Sequence, residues 1–305
     1  MAKRTSRVCS MNEVLDMINN GDTIGIGGFV TTNKPWAFLR ALMRVRKKDL
    51  TVVASPSGLE IDLMVAMGLI KTLMTPYVGA EAIAPVGPIY SKQAGKSFTI
   101  EETDLMTLAT MLRARIQALP FLPAWGPVGT SLMELNSKLR WVEDPFGGPP
   151  LVAVPPVKID VAIIHACHAD KYGNVQHLGP CFLDPMLAQA AEKVIVQVEK
   201  IVSNEEIRRN PLATTIPCQQ VTAVVQAPYG AHPSASQNYY RLDDVHYREY
   251  LKVAKAFVEG DQTLLKDYIA RYIDQPKDLA GYLEAVGMEK ILNLGLEECS
   301  DAGNT

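Results

Sequence analysis

Seven short apolar runs alternate along the chain with segments of helical period: Thr23 to Ile26, Leu50 to Ala54, Ile70 to Met74, Leu151 to Val154, Ile159 to Ile164, Val194 to Val198 and Val221 to Val225. Strands that are apolar on both faces need cover on both faces. The pattern therefore predicts an α/β fold, an open and mostly parallel sheet with helices on each side. A chain of 305 residues buries about three quarters of its unfolded surface, enough for one large α/β unit or two small ones. From about His246 onward the pattern is wholly helical, with Tyr250, Val253, Phe257, Leu264, Tyr268, Tyr272 and Leu283 as apolar anchors. This divides the chain into an α/β domain over residues 1–245 and a C-terminal helical extension over 246–305 that caps the same domain. The last residues, SDAGNT, read as a frayed tail. The Pro- and Gly-rich stretch Asp144 to Pro156 reads as an excursion rather than a linker.

The first strand runs directly into Gly27, Gly28 and Phe29 and then a Lys34-Pro35 step. Ahead of it, Ser10 and Glu13 fit a capping box, and Met11, Val14, Leu15 and Ile18 make one apolar helical face ending at Gly21. Behind it, Pro35 suits a first helical position, and Leu39, Leu42 and Met43 supply the next apolar stripe. Adjacent glycines at a strand end leave backbone N–H groups open to a ligand, where they can face an oxyanion or a carboxylate. A plain strand-to-helix turn uses the same residues.

Residues 20–35, NGDTIGIGGFVTTNKP, resemble the N-terminal signature of the family I coenzyme A transferases through Asn20, Gly21, Gly27, Gly28, Phe29 and Pro35. Two positions depart from it: Gly25 sits within the apolar triplet, and Asn33 replaces a glycine, a change that Asn's tolerance of left-handed angles accommodates. Further segments are similar to the A subunits of the glutaconate-type members: LPFLP at Leu119 to Pro123 followed by Gly129, Thr130 and Ser131; DVAIIHA at Asp160 to Ala166 with Ala169, Asp170, Gly173 and Asn174; VIVQVEKIV at Val194 to Val202; and APYGAHP at Ala227 to Pro233.

The resemblance implies an A subunit of a hetero-oligomeric enzyme that moves coenzyme A between carboxylic acids, with a dicarboxylate such as glutaconate as acid. In that family a glutamate attacks the thioester and passes through a mixed anhydride to a glutamyl thioester, which splits the exchange into two covalent steps. In two-subunit members the glutamate belongs to the B subunit. No glutamate here stands in the small-residue, glycine-flanked setting of such a nucleophile. Glu60, Glu81, Glu101 and Glu102 are the acids nearest the glycine turn or the helix before LPFLP, and helix surfaces account for them. The expected contribution of this chain is the acid side of the pocket: Gly27, Gly28 and Phe29 as backbone donors, with Thr31, Lys34, Ser55, Ser57, Gly129, Thr130 and Ser131 as substrate contacts. Coenzyme A thioester enters as substrate, and no permanently bound cofactor is expected. Homologous acyl-CoA hydrolases of ring degradation and glutaconyl-CoA decarboxylases are the alternative. A hydrolase-type A subunit is expected to carry an acid one turn into the helix before LPFLP, where this chain has Leu105. A third class, ligand-sensing domains of transcription regulators with a related fold, needs a helix-turn-helix ahead of the sensor, and some twenty residues precede the glycine turn.

Other chemistry fits poorly. Gly25, Gly27 and Gly28 lack the last glycine of a dinucleotide fingerprint, since position 30 is Val30. Gly95, Lys96 and Ser97 imitate a phosphate loop whose leading glycine falls on Tyr90, and no Gly-x-Ser-x-Gly elbow surrounds Ser55, Ser57 or Ser131. His165, Cys167, His168, His177 and Cys181 match no zinc spacing, and on a strand His168 points away from His165 and Cys167, so no metal site is expected. A net charge of −3 offers no general attraction to nucleic acid, and no apolar run approaches a membrane span. Five scattered cysteines and a basic start without a long apolar segment point to the cytoplasm.

Overall fold

The computed structural model describes residues 5–295, so Cys299 and the tail at 300–305 lie outside the described residues. Its chain order begins α1 (Met11–Leu15), β1 (Thr23–Ile26), α2 (Trp36–Arg44), β2 (Leu50–Ala54), α3 (Leu59–Ala66), β3 (Ile70–Met74), α4 (Pro88–Gln93) and β4 (Thr99–Ile100). After α5 (Leu105–Ile116) come β5 (Leu122–Ala124), α6 (Leu132–Leu135), β6 (Arg140–Val142) and β7 (Leu151–Val154). The second half of the sheet follows, with β8 (Ile159–Asp170), β9 (Val175–Gln176), α7 (Asp184–Ala190), β10 (Ala191–Val202), α8 (Asn204–Arg209), β11 (Thr214–Ile216) and β12 (Ala223–Gln226). Four α-helices close the described chain, α9 (Asp244–Glu259), α10 (Thr263–Ile269), α11 (Leu279–Val286) and α12 (Met288–Leu292), with a π-helical turn, Ala270–Asp274, directly after α10.

Pairing assembles a nine-stranded sheet in which β1, β2, β3, β4, β8, β10 and β12 run parallel and only β9 and β11 add antiparallel links. From β1 the chain builds outward through β2, β3 and β4, then returns to lay β8 against the other edge of β1. Strand order therefore reverses between β1 and β8, and a crevice opens at the carboxyl ends of strands at such a point. The glycine turn leaves β1 there.

Alternate strand residues feed two cores. Val52, Ile163 and Ile195 join one with α1 to α4 and the C-terminal helices, whereas Val53, Ala162, Ile164, Val194 and Val196 join the other with α5 and α7. This period of two explains why the strands read as continuous apolar runs. Gly25 has a packing reason, because a Cβ there would lie 3.2 Å from Ile159 and 3.3 Å from Leu187.

Several local expectations meet their physical causes. Ser10 and Glu13 form the reciprocal capping box, although α1 ends at Leu15 rather than carrying Ile18 within the helix. Pro35 is the N-cap of α2 instead of its first residue, and Asn33 takes φ +52°. Leu151 to Val154 is a strand, but it belongs to a separate antiparallel sheet ordered β5-β7-β6, which packs Val152 and Val154 against α5. Among the C-terminal anchors, Tyr250, Val253, Tyr268 and Tyr272 are buried as expected. Leu264 is exposed and its neighbour Leu265 is buried instead, a one-position error in helical phase.

Candidate active site

The turn after β1 is held by a closed set of hydrogen bonds. Gly27 N–H donates to the Ile163 carbonyl at 2.9 Å, Phe29 N–H to Thr32 O at 2.9 Å, and Thr32 N–H back to Phe29 O at 2.8 Å. Gly28 N–H donates to Asp184 Oδ1 at 2.8 Å. All three amides expected to face a reacting carbonyl are thus already engaged. Burial is the reason, since a buried N–H without a partner is costly and the turn supplies partners from β8 and α7. The carbonyls are engaged too: Gly27 O accepts from Lys34 Nζ at 3.0 Å, and Gly28 O accepts from Ser55 Oγ. What remains open is Thr31, half-buried at the turn tip: its carbonyl accepts from Ala235 N–H at 2.8 Å, but its N–H and hydroxyl bond to no other group among the described residues. Val30 beside it has φ +44°, an outlier for a β-branched residue, and its N–H is pinned to Pro56 O at 2.8 Å.

Neither glycine tolerates a side chain. Gly28 has φ +76°, and a Cβ there would stand 2.4 Å from the Asn33 carbonyl oxygen; at Gly27 it would stand 2.7 Å from Asp184 Oδ1. Phe29 closes the rim by stacking on Phe182, with ring centroids 4.7 Å apart.

Beneath the turn lies an ion pair that reassigns two residues. Lys34 Nζ is 3.1 Å from Glu60 Oε1, and both side chains are fully buried. Glu60 Oε1 also accepts from Gly58 N–H at 3.0 Å, while Oε2 has no hydrogen-bond partner. Lys34 therefore braces the turn through Glu60 and Gly27 rather than presenting its ammonium to a substrate, and Glu60 is not a helix-surface acid. A buried ammonium requires a nearby anion, and the first turn of α3 provides it.

Asp184 extends the frame. Its Oδ2 lies 3.2 Å from His177 Nε2, and His177 Nδ1 lies 2.6 Å from Thr215 Oγ1. Cys167 donates its thiol proton to the His177 carbonyl at 2.6 Å, and burial pushes that thiol up to about 12, which leaves it an inert donor. Nearby, His165 Nε2 is 3.0 Å from Glu199 Oε1 and 3.2 Å from Ser236 Oγ. The trio has the components of a hydrolytic triad but not its geometry. The Gln197 amide occupies Nδ1 at 2.7 Å, so Nε2 carries the proton that Glu199 accepts and has no lone pair for Ser236. Among the described residues no group of three or more His, Cys, Asp or Glu converges as a metal site.

The remaining expected contacts separate into two places. Ser55 and Ser57 are fully buried and turned inward, Ser57 Oγ donating to Ser55 O at 3.0 Å. Gly129, Thr130 and Ser131 are exposed on the loop between β5 and α6. Thr130 Oγ1 donates to Pro127 O at 2.8 Å, and no hydrogen bond ties that loop to the glycine turn. Leu105 is the first residue of α5, directly after the N-cap Asp104, so the position one turn in falls on Leu108 and Ala109, both buried and apolar. Asp184 and the Ser234 to Ser236 segment escaped the sequence reading, and His177 entered it only as a rejected metal ligand. Their signal was faint: an Asp-Pro helix start, and small residues just beyond APYGAHP.

Comparison with known proteins places this geometry. Residues 8–227 match the family described as coenzyme A transferase. The chain is 33% identical to the A subunit of glutaconate CoA-transferase from Acidaminococcus fermentans, over 95% of its own length and 94% of that protein. It is 30% identical to the cholesterol ring-cleaving hydrolase IpdA subunit of Rhodococcus jostii, over 91% of this chain and 95% of that one. The crystal structure of the Acidaminococcus fermentans glutaconate coenzyme A-transferase superposes with a TM-score of 0.89 at 31% identity, covering 95% of this chain and 96% of that one. The decarboxylase AibA/AibB superposes with a TM-score of 0.76 at 28% identity, covering 88% of this chain and all of that one.

Proposed function

The chain belongs to the coenzyme A transferase family, and on that premise we propose that it is the A subunit of a two-subunit enzyme that moves coenzyme A between carboxylic acids, one of them a dicarboxylate of the glutaconate type. The observation that carries the division of labour is the commitment of the two acids at the turn. Glu60 is bound to Lys34 and Gly58, and Asp184 to Gly28 and His177, each fully buried. A nucleophilic carboxylate must reach the thioester, so it comes from a partner B subunit. That glutamate attacks the acyl-CoA carbonyl and the coenzyme A thiolate leaves. The thiolate then attacks the glutamyl carbonyl of the mixed anhydride and releases the first acid, and the second acid takes coenzyme A by the reverse steps.

In this reading the turn is a rigid wall of the crevice, and Thr31 replaces Gly27, Gly28 and Phe29 as the donor to the reacting carbonyl or carboxylate. The wall positions substrate without adding a reactive group, which suits catalysis that depends on holding two acyl groups in line. The similarity to a ring-cleaving hydrolase keeps transfer to water as the second reading. Leu105, apolar where that reading expects an acid, favours transfer to a carboxylate. We place the enzyme in the cytoplasm: the four cysteines among the described residues are unpaired, and no helix among them is long and apolar enough to cross a membrane. The test is expression of this chain alone and together with a B-type partner. Exchange of coenzyme A appears only with the partner, and robust exchange by the purified single chain defeats the reading.

A further inference from the structure

Two other segments close around the tip of the glycine turn. Residues 235–238 are tied to it by Ala235 N–H on Thr31 O and Asn33 N–H on Ala235 O, both at 2.8 Å. The loop 177–183, between β9 and α7, is tied to residues 235–238 by Asn238 Nδ2 on Leu178 O at 2.5 Å, and to the turn by Asp184, which follows it and accepts from Gly28 N–H at 2.8 Å. Ten non-glycine residues of the described chain have a left-handed backbone, and five of them, Val30, Asn33, Leu178, Phe182 and Asn238, stand in these three segments. Such a concentration of costly angles marks a place where the backbone is set for more than its own stability. Phe182 is a bulky residue at φ +48°, 36% exposed, with its ring stacked on Phe29 at 4.7 Å and an interplanar angle of 17°. Its neighbour Leu183 packs against a core, whereas Phe182 and Phe29 belong to neither core. Backbone preference disfavours this ring position, and core packing does not reward it.

We propose that Phe182, seated on Phe29, is a specificity-determining residue of the acyl pocket: its ring is the wall along which the carbons next to the reacting carbonyl lie, and it admits a thin, unbranched acyl chain and turns away a branched one. In the transferase reading, on which this rests, Thr31 at the turn tip receives the reacting carbonyl or carboxylate. The tip is folded back on Phe29, since Phe29 N–H donates to Thr32 O at 2.9 Å and Thr32 N–H to Phe29 O at 2.8 Å. Carbon attached to a carbonyl held there runs beside the stacked rings. Two near-parallel rings present a flat apolar surface, which makes its contacts with a chain one carbon thick. Geminal methyl groups hold a chain off that wall and press it against the opposite side of the crevice. One methyl group misplaced in an apolar pocket changes kcat/KM by roughly 10–200-fold, which sets the scale of the selection.

The test uses the complex co-purified with a B-type partner and follows consumption of two thioesters, glutaryl-CoA and 3,3-dimethylglutaryl-CoA, with acetate as acceptor. The parent complex favours glutaryl-CoA in kcat/KM by about tenfold or more. Phe182→Ala raises kcat/KM for 3,3-dimethylglutaryl-CoA by about fivefold or more, mainly through KM, a gain that damage to the fold does not produce. Phe182→Gly removes the ring and suits the left-handed angle, so it gives the same gain and decides the matter if the alanine variant does not fold. A parent that uses both thioesters equally, or ring-deleted variants that gain nothing on the branched one or lose both alike, overturns the proposal and leaves the transferase reading standing. Consumption of neither thioester by the parent complex defeats the transferase reading for dicarboxylates and this selection with it.

Discussion

Replacing Lys34 by Met separates a brace from a substrate contact. In the structure its ammonium bonds only Glu60 Oε1 at 3.1 Å and Gly27 O at 3.0 Å, in full burial. Met has nearly the length of the Lys stem and fills its space, so the loss is electrostatic: a Glu60 carboxylate left buried without its cation. Breaking a buried pair on one side costs about 3–5 kcal/mol. At about 2.1 cal/mol/K of unfolding entropy per residue, a chain of this length has roughly 0.64 kcal/mol/K, which turns that cost into a fall in Tm of about 5–8 °C. Glu60→Leu strands the ammonium instead and lowers Tm by a similar amount. The double variant removes both charges and leaves neither stranded, so it recovers most of the loss, with a coupling of about 3 kcal/mol. Differential scanning calorimetry of the four proteins reads this directly. Additive losses in the double variant, or a Lys34→Met protein as stable as the parent, refute the buried-brace assignment.

Three further outcomes follow from the same contacts. Gly28→Val forces a β-branched residue to φ +76° with its Cβ 2.4 Å from the Asn33 carbonyl oxygen, so the co-expressed complex loses at least a hundredfold in turnover while still assembling by size-exclusion chromatography; normal kinetics would remove the turn from the site. Asp62 is pushed up to about 6 by burial, against hydrogen bonds from Tyr90 N–H and Tyr250 O–H. The folded chain therefore holds a proton that the unfolded chain releases near pH 4, stability falls by about 3 kcal/mol as pH rises from about 4 to about 6, and urea unfolding of Asp62→Asn lacks that slope. Cys167, pushed up to about 12 and fully buried, stays unmodified by iodoacetamide at pH 8 in the folded chain, and mass spectrometry of the digested protein shows whether it does.

The sheet was legible because its signal is local. Strands apolar on both faces, Gly and Pro at their ends and a capping box at Ser10 each follow from a few neighbouring residues, and β1, β2 and β3 fall on the expected residues. The separate sheet formed by β5, β6 and β7 was not legible, because three-residue strands carry no period and Val152 and Val154 look the same whichever sheet receives them. The position of the turn after β1 was legible, whereas the partners of its amides were not. Whether the N–H of Gly28 is free depends on Asp184, which lies 156 positions further along the chain, and whether Glu60 is on a surface depends on Lys34 entering beneath it. Such pairings are decided by tertiary placement, which no local pattern encodes. The left-handed angle at Asn33 was readable from the residue type alone.

The central claim is that the covalent carboxylate belongs to another polypeptide. Incubating the co-purified complex with acyl-CoA, trapping the glutamyl thioester with borohydride or hydroxylamine, and locating the modified residue by mass spectrometry tests it most directly. The account predicts one modified glutamate, carried by the partner polypeptide, and none on this chain. A modified Glu60, or any other labelled acid between residues 5 and 295, contradicts it.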